Sequence, residues 1–156
     1  MIRLTAVALL MALVTSASPA SAQSRVEVGV LECRGSTTSF IIGSVTELGC
    51  VFRQSGTGAS DPYSATIRRA GVDIGLPQQV AVAWAVFAPT ARIGYGDLAG
   101  SYVGASASAT LGVGAGANAL VGGSGNTFAL QPVSLQGQVG LSIAAGIAGM
   151  ELRPSR

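Results

Sequence analysis

The sequence predicts an all-β protein, a single antiparallel β-sandwich or small β-barrel of about 7–8 strands. Three observations carry that prediction. Leu98 to Met150 contains no Asp, Glu, Lys or Arg, and from Tyr102 to Val121 it alternates with little interruption. Odd positions there run through Val103, Ala105, Leu111, Val113 and Val121, whereas even positions hold mainly Gly, Ser, Thr and Asn. A strand sends successive side chains to opposite faces, so a period of two marks a half-buried ribbon. Shorter alternating runs separated by turn residues fill the rest of the chain, and no convincing amphipathic helix appears among them.

Residues 1–22 read as a targeting segment, set apart from the fold. Arg3 supplies a positive start, Leu4 to Val14 an apolar core, and Ala20-Ser21-Ala22 an A-x-A cleavage pattern. Cleavage after Ala22 leaves one β domain over residues 23–156. The alternative is an uncleaved anchor, but the apolar run falls short of the ~20 residues that span a bilayer. No Cys stands near the cleavage point to direct a lipoprotein route.

From Gln23 onward there are seven acids and eight arginines, with no Lys and no His. That balance provides no basic footprint for nucleic acid. High Ala, Gly and Val content argues against disorder. Cys33 and Cys50 are the only cysteines. In an exported chain this even count reads as a disulfide, with a pair of free thiols as the alternative.

Val26, Val28 and Val30 share a face of the first strand, and the pattern slips near Leu31-Glu32-Cys33, where a bulge fits. Gly35 to Ser39 reads as a turn-rich connection before the apolar patch Phe40-Ile41-Ile42. The second strand, about Val45 to Gln54, faces Leu48, Cys50 and Phe52 one way and Glu47 and Arg53 the other. Ser55 to Pro62 is the clearest loop. Tyr63, Ala65 and Ile67 then share a face, and Gly71 to Gly75 looks like a turn. In the fourth strand Val80, Val82, Trp84 and Val86 are backed by alanines, which suggests a doubly covered position. Pro89 ends it, and a polar stretch from Thr90 to Ala99 leads into the uncharged half. After the long ribbon, Gly122 to Asn126 is a turn. Strands follow at about Thr127 to Gln131, Val133 to Leu141 and Ser142 to Arg153. The abundant small residues let a sheet bend and close, or else leave a hollow for a ligand.

Catalytic chemistry is hard to build from this inventory. Gly112-Val113-Gly114-Ala115-Gly116-Ala117 superficially fits a phosphate loop, but no helix follows to face a phosphate. Without His or Lys, nucleophilic triads and dyads lack a base. Only carboxylates remain, with Glu32, Glu47, Asp61, Asp73 and Asp97 in no recognisable spacing. Metal ligation fails on the same ground, so neither metal nor cofactor is expected. For a binding site, Asp73 between Gly71 and Gly75 and Trp84 within its apolar strand stand out, joined by Tyr102 and Asn118 in the uncharged half. Plainer readings are a turn Asp and a core Trp with a satisfied N–H. An outer-membrane barrel would also alternate weakly, yet it expects aromatic girdles. The chain holds eight Phe, Tyr and Trp, mostly before residue 103.

Cys33, Ile41-Ile42-Gly43-Ser44, Leu48-Gly49-Cys50, Tyr63, Gly71-Val72-Asp73-Ile74-Gly75, Trp84-Ala85-Val86-Phe87, Leu98-Ala99-Gly100-Ser101-Tyr102 and Gly116 to Gly123 together resemble a family of small exported bacterial proteins known only as a domain of unknown function. The resemblance covers almost the whole of the chain after the leader. It implies a place in the Gram-negative cell envelope, and it brings no established activity and no functional residues to transfer. Pro132 to Leu141 is also similar to a late segment of SYLF-type lipid-binding domains, whose Gly-rich strands contact phospholipid.

The expectation is therefore a non-catalytic periplasmic protein without a transmembrane helix, serving envelope upkeep or holding a lipid or other apolar ligand. Its alternatives are a small outer-membrane barrel and a carboxylate-only hydrolase. A homo-oligomer could form through an exposed edge strand of such low charge.

Overall fold

In β2 (Gly43–Gln54) and β3 (Ser60–Ala70) alternate side chains are buried, as the sequence pattern requires. Leu48, Cys50 and Phe52 point inward from β2, and Tyr63, Ala65 and Ile67 from β3. The computed structural model describes residues 24–70, 77–104, 119–136 and 149–156. The expected leader, Asp73, Asn118 and most of the uncharged ribbon lie outside the described residues.

The remaining strands are β1 (Val26–Phe40), β4 (Gln78–Ala88), β5 (Gly100–Gly104), β6 (Leu120–Gly122), β7 (Phe128–Gln136) and β8 (Gly149–Pro154). All pair antiparallel, and they close into a barrel in the order β1-β2-β3-β8-β5-β6-β7-β4. Two meanders, β1–β2–β3 and β5–β6–β7, are joined on one side by β4 and on the other by β8. An eight-stranded barrel has an interior about wide enough for side chains to fill or to hold one small ligand. Of the two predicted architectures, then, the barrel is the one formed. Closure gives each of the described strands a hydrogen-bonded neighbour on both sides.

Several local expectations need correction. Gly35 to Ser39 continues β1, paired with β2 throughout, instead of turning. An added Cβ at Gly35 would overlap the Glu47 carbonyl oxygen, so glycine here permits close strand approach. Thr37 keeps the inward parity of Leu31 and Cys33 and is 2 % exposed. The register slip falls between Glu27 and Gly29, earlier than expected, where Gly29 has a φ of 156°. It leaves Val26 exposed and Val28 buried, so the three valines do not share one face. Ser60 to Pro62, read as loop, belong to β3. The strand expected at Thr127 to Gln131 runs on without a break into the described part of the one expected at Val133 to Leu141, giving the single strand β7, with an irregularity where Trp84 meets Pro132. In the long ribbon the face is reversed at its start: Tyr102 points into the core, and Val103 is 45 % exposed. At this position the large Tyr102 ring gains more from burial than the smaller Val103 side chain does.

Candidate functional site

Toward the end where β4 stops and β5 starts, the barrel interior is apolar. Trp84, Tyr63, Tyr102, Phe52 and Leu31 are all at most 1 % exposed. The connection from β4 to β5, residues 89–99, folds under them as a floor. Leu98 is fully buried and Ile93 packs on the core. Polar groups of the floor are tied to the strands around it. Tyr102 donates its hydroxyl to the Leu98 carbonyl at 2.7 Å, and the Gly96 amide donates to Tyr63 Oη at 2.9 Å. Tyr95 donates to the Ser155 carbonyl at 3.1 Å, and its ring sits 6.4 Å from that of Tyr63. Within the floor, Asp97 Oδ2 accepts from the Gly94 amide at 2.7 Å, forming a tight turn.

These surroundings govern the tyrosines. Desolvation is the largest influence on Tyr63 and holds its pKa above the ordinary value of 10.0. Hydrogen bonding at the floor opposes it, and the charges of Asp61 and Asp97 add to it. Tyr102 is pushed up further, by burial first and by the proximity of Tyr63 second. Both folded values exceed the unfolded one, so their contribution is complete below about pH 10 and is lost as pH rises through the folded values. Stability should therefore fall steeply above about pH 10, and Tyr63→Phe together with Tyr102→Phe should flatten that fall. Alkaline unfolding followed by far-ultraviolet circular dichroism, with phenolate absorbance in parallel, checks this. Phenolate absorbance that rises fully before any unfolding would refute it.

Higher in the barrel the wall turns polar. Thr37 and Thr46 lie opposite each other on β1 and β2 with their hydroxyls 2.7 Å apart. Ser44 is buried on the same stretch of β2. Sequence inspection passed over this pair, although both threonines continue the parity of Cys33 and of Leu48 with Cys50.

Trp84 departs from the plain core reading. It is fully buried, opposite Leu31 on β1 and Pro132 on β7, at the point where the β4–β7 register slips. Its Nε1–H has no hydrogen-bond acceptor. Among the described residues it is the one buried side-chain polar atom left without a partner. A buried orphan donor costs about 1–3 kcal/mol, and each native case calls for a physical explanation such as a bound water or ligand.

The four residues singled out from sequence are thus placed unevenly. Trp84 and Tyr102 both face the interior, but β6 and β7 separate their strands. Tyr102 donates its hydroxyl to Leu98, so of these two it is Trp84 that offers an unpartnered polar group. Asp73 and Asn118 lie outside the described residues. Of the acids considered for catalysis, Glu32 pairs with Arg53 at 3.2 Å on the outer wall, and Glu47 and Asp97 are exposed. Among the described residues no group of three or more His, Cys, Asp or Glu could hold a metal.

A family model described as a protein of unknown function, DUF992, matches residues 11–153. The chain belongs to the DUF992 family. Comparison with curated proteins and with solved structures finds no match. The match spans all eight strands of this DUF992 barrel, including β8, which closes β3 against β5. It also takes in both cysteines and Trp84. The Cys33–Cys50 disulfide ties directly opposed residues of β1 and β2, with Cα atoms 4.1 Å apart.

Proposed function

We propose that this DUF992 protein is a non-catalytic component of the cell envelope, exported to the periplasm through residues 1–22, whose barrel holds an apolar ligand bearing a hydrogen-bond acceptor. The observation that carries this reading is the unpartnered Nε1–H of Trp84, buried between apolar walls. A carbonyl or carboxylate oxygen at the head of an acyl chain would satisfy it, and the chain would meet the surrounding aliphatic and aromatic side chains. The buried disulfide supports an oxidising compartment. The likeness of Pro132 to Leu141 to lipid-binding strands supports the ligand class. The reading involves no cofactor, and it is favoured over a carboxylate hydrolase by the outward placement of Glu32, which pairs with Arg53, and by the exposure of Glu47 and Asp97.

A membrane-spanning barrel is the weaker reading, because the faces run the wrong way for it. Leu31, Phe52 and Ile67 point inward, whereas Glu32, Glu47, Arg53 and Arg153 point outward. A barrel in lipid needs an apolar band outside and tolerates polarity within. Among the described residues no helix is long and apolar enough to cross a membrane either.

Trp84 is the only tryptophan, so fluorescence reports on this site alone. Protein released from the periplasm by osmotic shock should show one adduct in native mass spectrometry after incubation with oleate, and a saturable emission shift on titration. Trp84→Phe should bind oleate about 10-fold more weakly by calorimetry, the loss expected for one hydrogen bond to a charged acceptor. An unchanged affinity in Trp84→Phe would remove the anchor. No adduct and no shift would leave water as the partner of Nε1 and overturn the ligand reading. Recovery only with detergent would overturn the location.

A further inference from the structure

The hairpin joining β1 to β2 ends in three consecutive large apolar residues that face water. Phe40 is 53 % exposed, Ile41 77 % and Ile42 83 %. Hairpin tips are normally built from Gly, Asn, Asp or Pro, because those residues suit the turn and the solvent. Here Ile41 and Ile42 form the turn itself, and Phe40 pairs with Gly43 at its base. Packing within the barrel does not require them, since none of the three belongs to the core.

We propose that this tip is a membrane-docking element, inserting Phe40, Ile41 and Ile42 into the interfacial region of an anionic lipid bilayer. Shape is the first argument. Three side chains on a convex tip bury too little area for a standard protein interface, which needs about 800 Å² from each partner. A bilayer needs no complementary groove and takes apolar groups to a depth of about 5–10 Å.

Charge is the second argument. Arg68 pairs in register with Val45, and Arg69 with Ser44, so both stand on the neighbouring strand just behind the tip. Arg68 is exposed and Arg69 half-buried. Three residues of strand separate Ile42 from Val45, about 10 Å. That sets the exposed guanidinium at headgroup depth when the isoleucines reach the acyl boundary. Described acids lie deeper along the wall, Glu47 and Glu151 both in register with Thr66. Strands β3, β5 and β7 also end at this rim, and β4, β6 and β8 begin there. In sequence, the connections between them add a single charged residue, Asp73. By sequence, then, Arg68 and Arg69 stand against Asp73 alone, a small positive excess that suits anionic lipid. The inference uses only surface residues and does not rest on the interior ligand.

Co-sedimentation of the exported protein with phosphatidylglycerol-containing vesicles, against pure phosphatidylcholine vesicles, tests it. Binding should be stronger to the anionic vesicles and weaken with salt. Ile41→Ser with Ile42→Ser should lower the partition coefficient about 100-fold, the loss from two buried isoleucines. Arg68→Gln should lower it about 5-fold. Thermal unfolding must stay as in the parent protein; if the double variant unfolds, Ile42→Ser alone serves, with a reduction of about 10-fold. Absence of vesicle binding overturns the proposal, as does a serine variant that binds like the parent. Sedimentation velocity resolves the rival occupant: a dimer abolished by the serine variants, without vesicle binding, assigns the tip to a second copy and overturns membrane docking. Trp84→Phe should bind vesicles normally, which separates failure here from failure of the ligand reading.

Discussion

Trp84→Ala should lower the stability of the barrel by about 3–5 kcal/mol, the range for truncating a large buried aromatic, and Tm by roughly 10 °C or more. The side chain is fully buried in the layer where Leu31 of β1 and Pro132 of β7 lie opposite it. β4 is also the strand that closes the barrel against β1, so a void there loosens the seam between the two meanders. Trp84→Phe should behave quite differently. It leaves a smaller void and also deletes the N–H that has no acceptor. Relief of that unpaired donor offsets much of the cavity term, so a net loss of about 1 kcal/mol is expected in ligand-free protein. Added ligand should widen the gap, because only the parent gains the full linkage stabilisation. Thermal melts of the three proteins with and without oleate measure both effects. A Trp84→Phe loss as large as that of Trp84→Ala would mean that the N–H is not strained, and that Trp84 is ordinary core.

How much of this was legible beforehand depended on how strongly each residue favours one side. Leu48, Cys50 and Phe52, then Tyr63, Ala65 and Ile67, then Val80 to Val86, alternate between bulky and small or polar residues, and their buried faces followed directly. Where both faces carry small residues the preference is weak. At Tyr102 and Val103 the row of alanines and valines suggests the opposite side, although the tyrosine buries more surface than any one of those small residues. Composition misled at the first hairpin, too. Gly35 to Ser39 has turn residues yet is strand, because a barrel wall needs close approach at Gly35 and accepts Thr37 once its hydroxyl meets Thr46. Phe40 to Ile42 has strand residues yet includes the turn, a conflict between local preference and fold of the kind that gathers at functional positions. Closure itself was not legible. The pairings of β1 with β4 and of β8 with both β3 and β5 join segments far apart in the chain, and no local pattern encodes them. Nor could the unpartnered Trp84 N–H be read from sequence, since it depends on which acceptors three different strands leave nearby.

Replacing the Cys33–Cys50 disulfide by alanines should cost about 3 kcal/mol, chiefly by freeing the unfolded chain. The bridge spans 17 residues of sequence. Crosslinking a loop of that size denies the unfolded ensemble its more extended members, which raises its free energy relative to the barrel. Native geometry changes little, because Cys33 and Cys50 already face each other in the β1–β2 ladder, which the disulfide reinforces. Both are nearly inaccessible, at 1 % and 3 % exposure, so a thiol reagent reaches the sulfur atoms only when β1 separates from β2. Two signatures follow. In urea, Cys33→Ala with Cys50→Ala should unfold at a lower midpoint and with a larger m-value, since an uncrosslinked unfolded chain exposes more surface. In the parent protein, dithiothreitol should leave the bridge intact under native conditions and cleave it at a rate that tracks opening of the hairpin. A variant with unchanged midpoint and slope would show that the crosslink constrains nothing the ladder does not already hold. Rapid reduction without denaturant would show that β1 and β2 part far more easily than their continuous register implies.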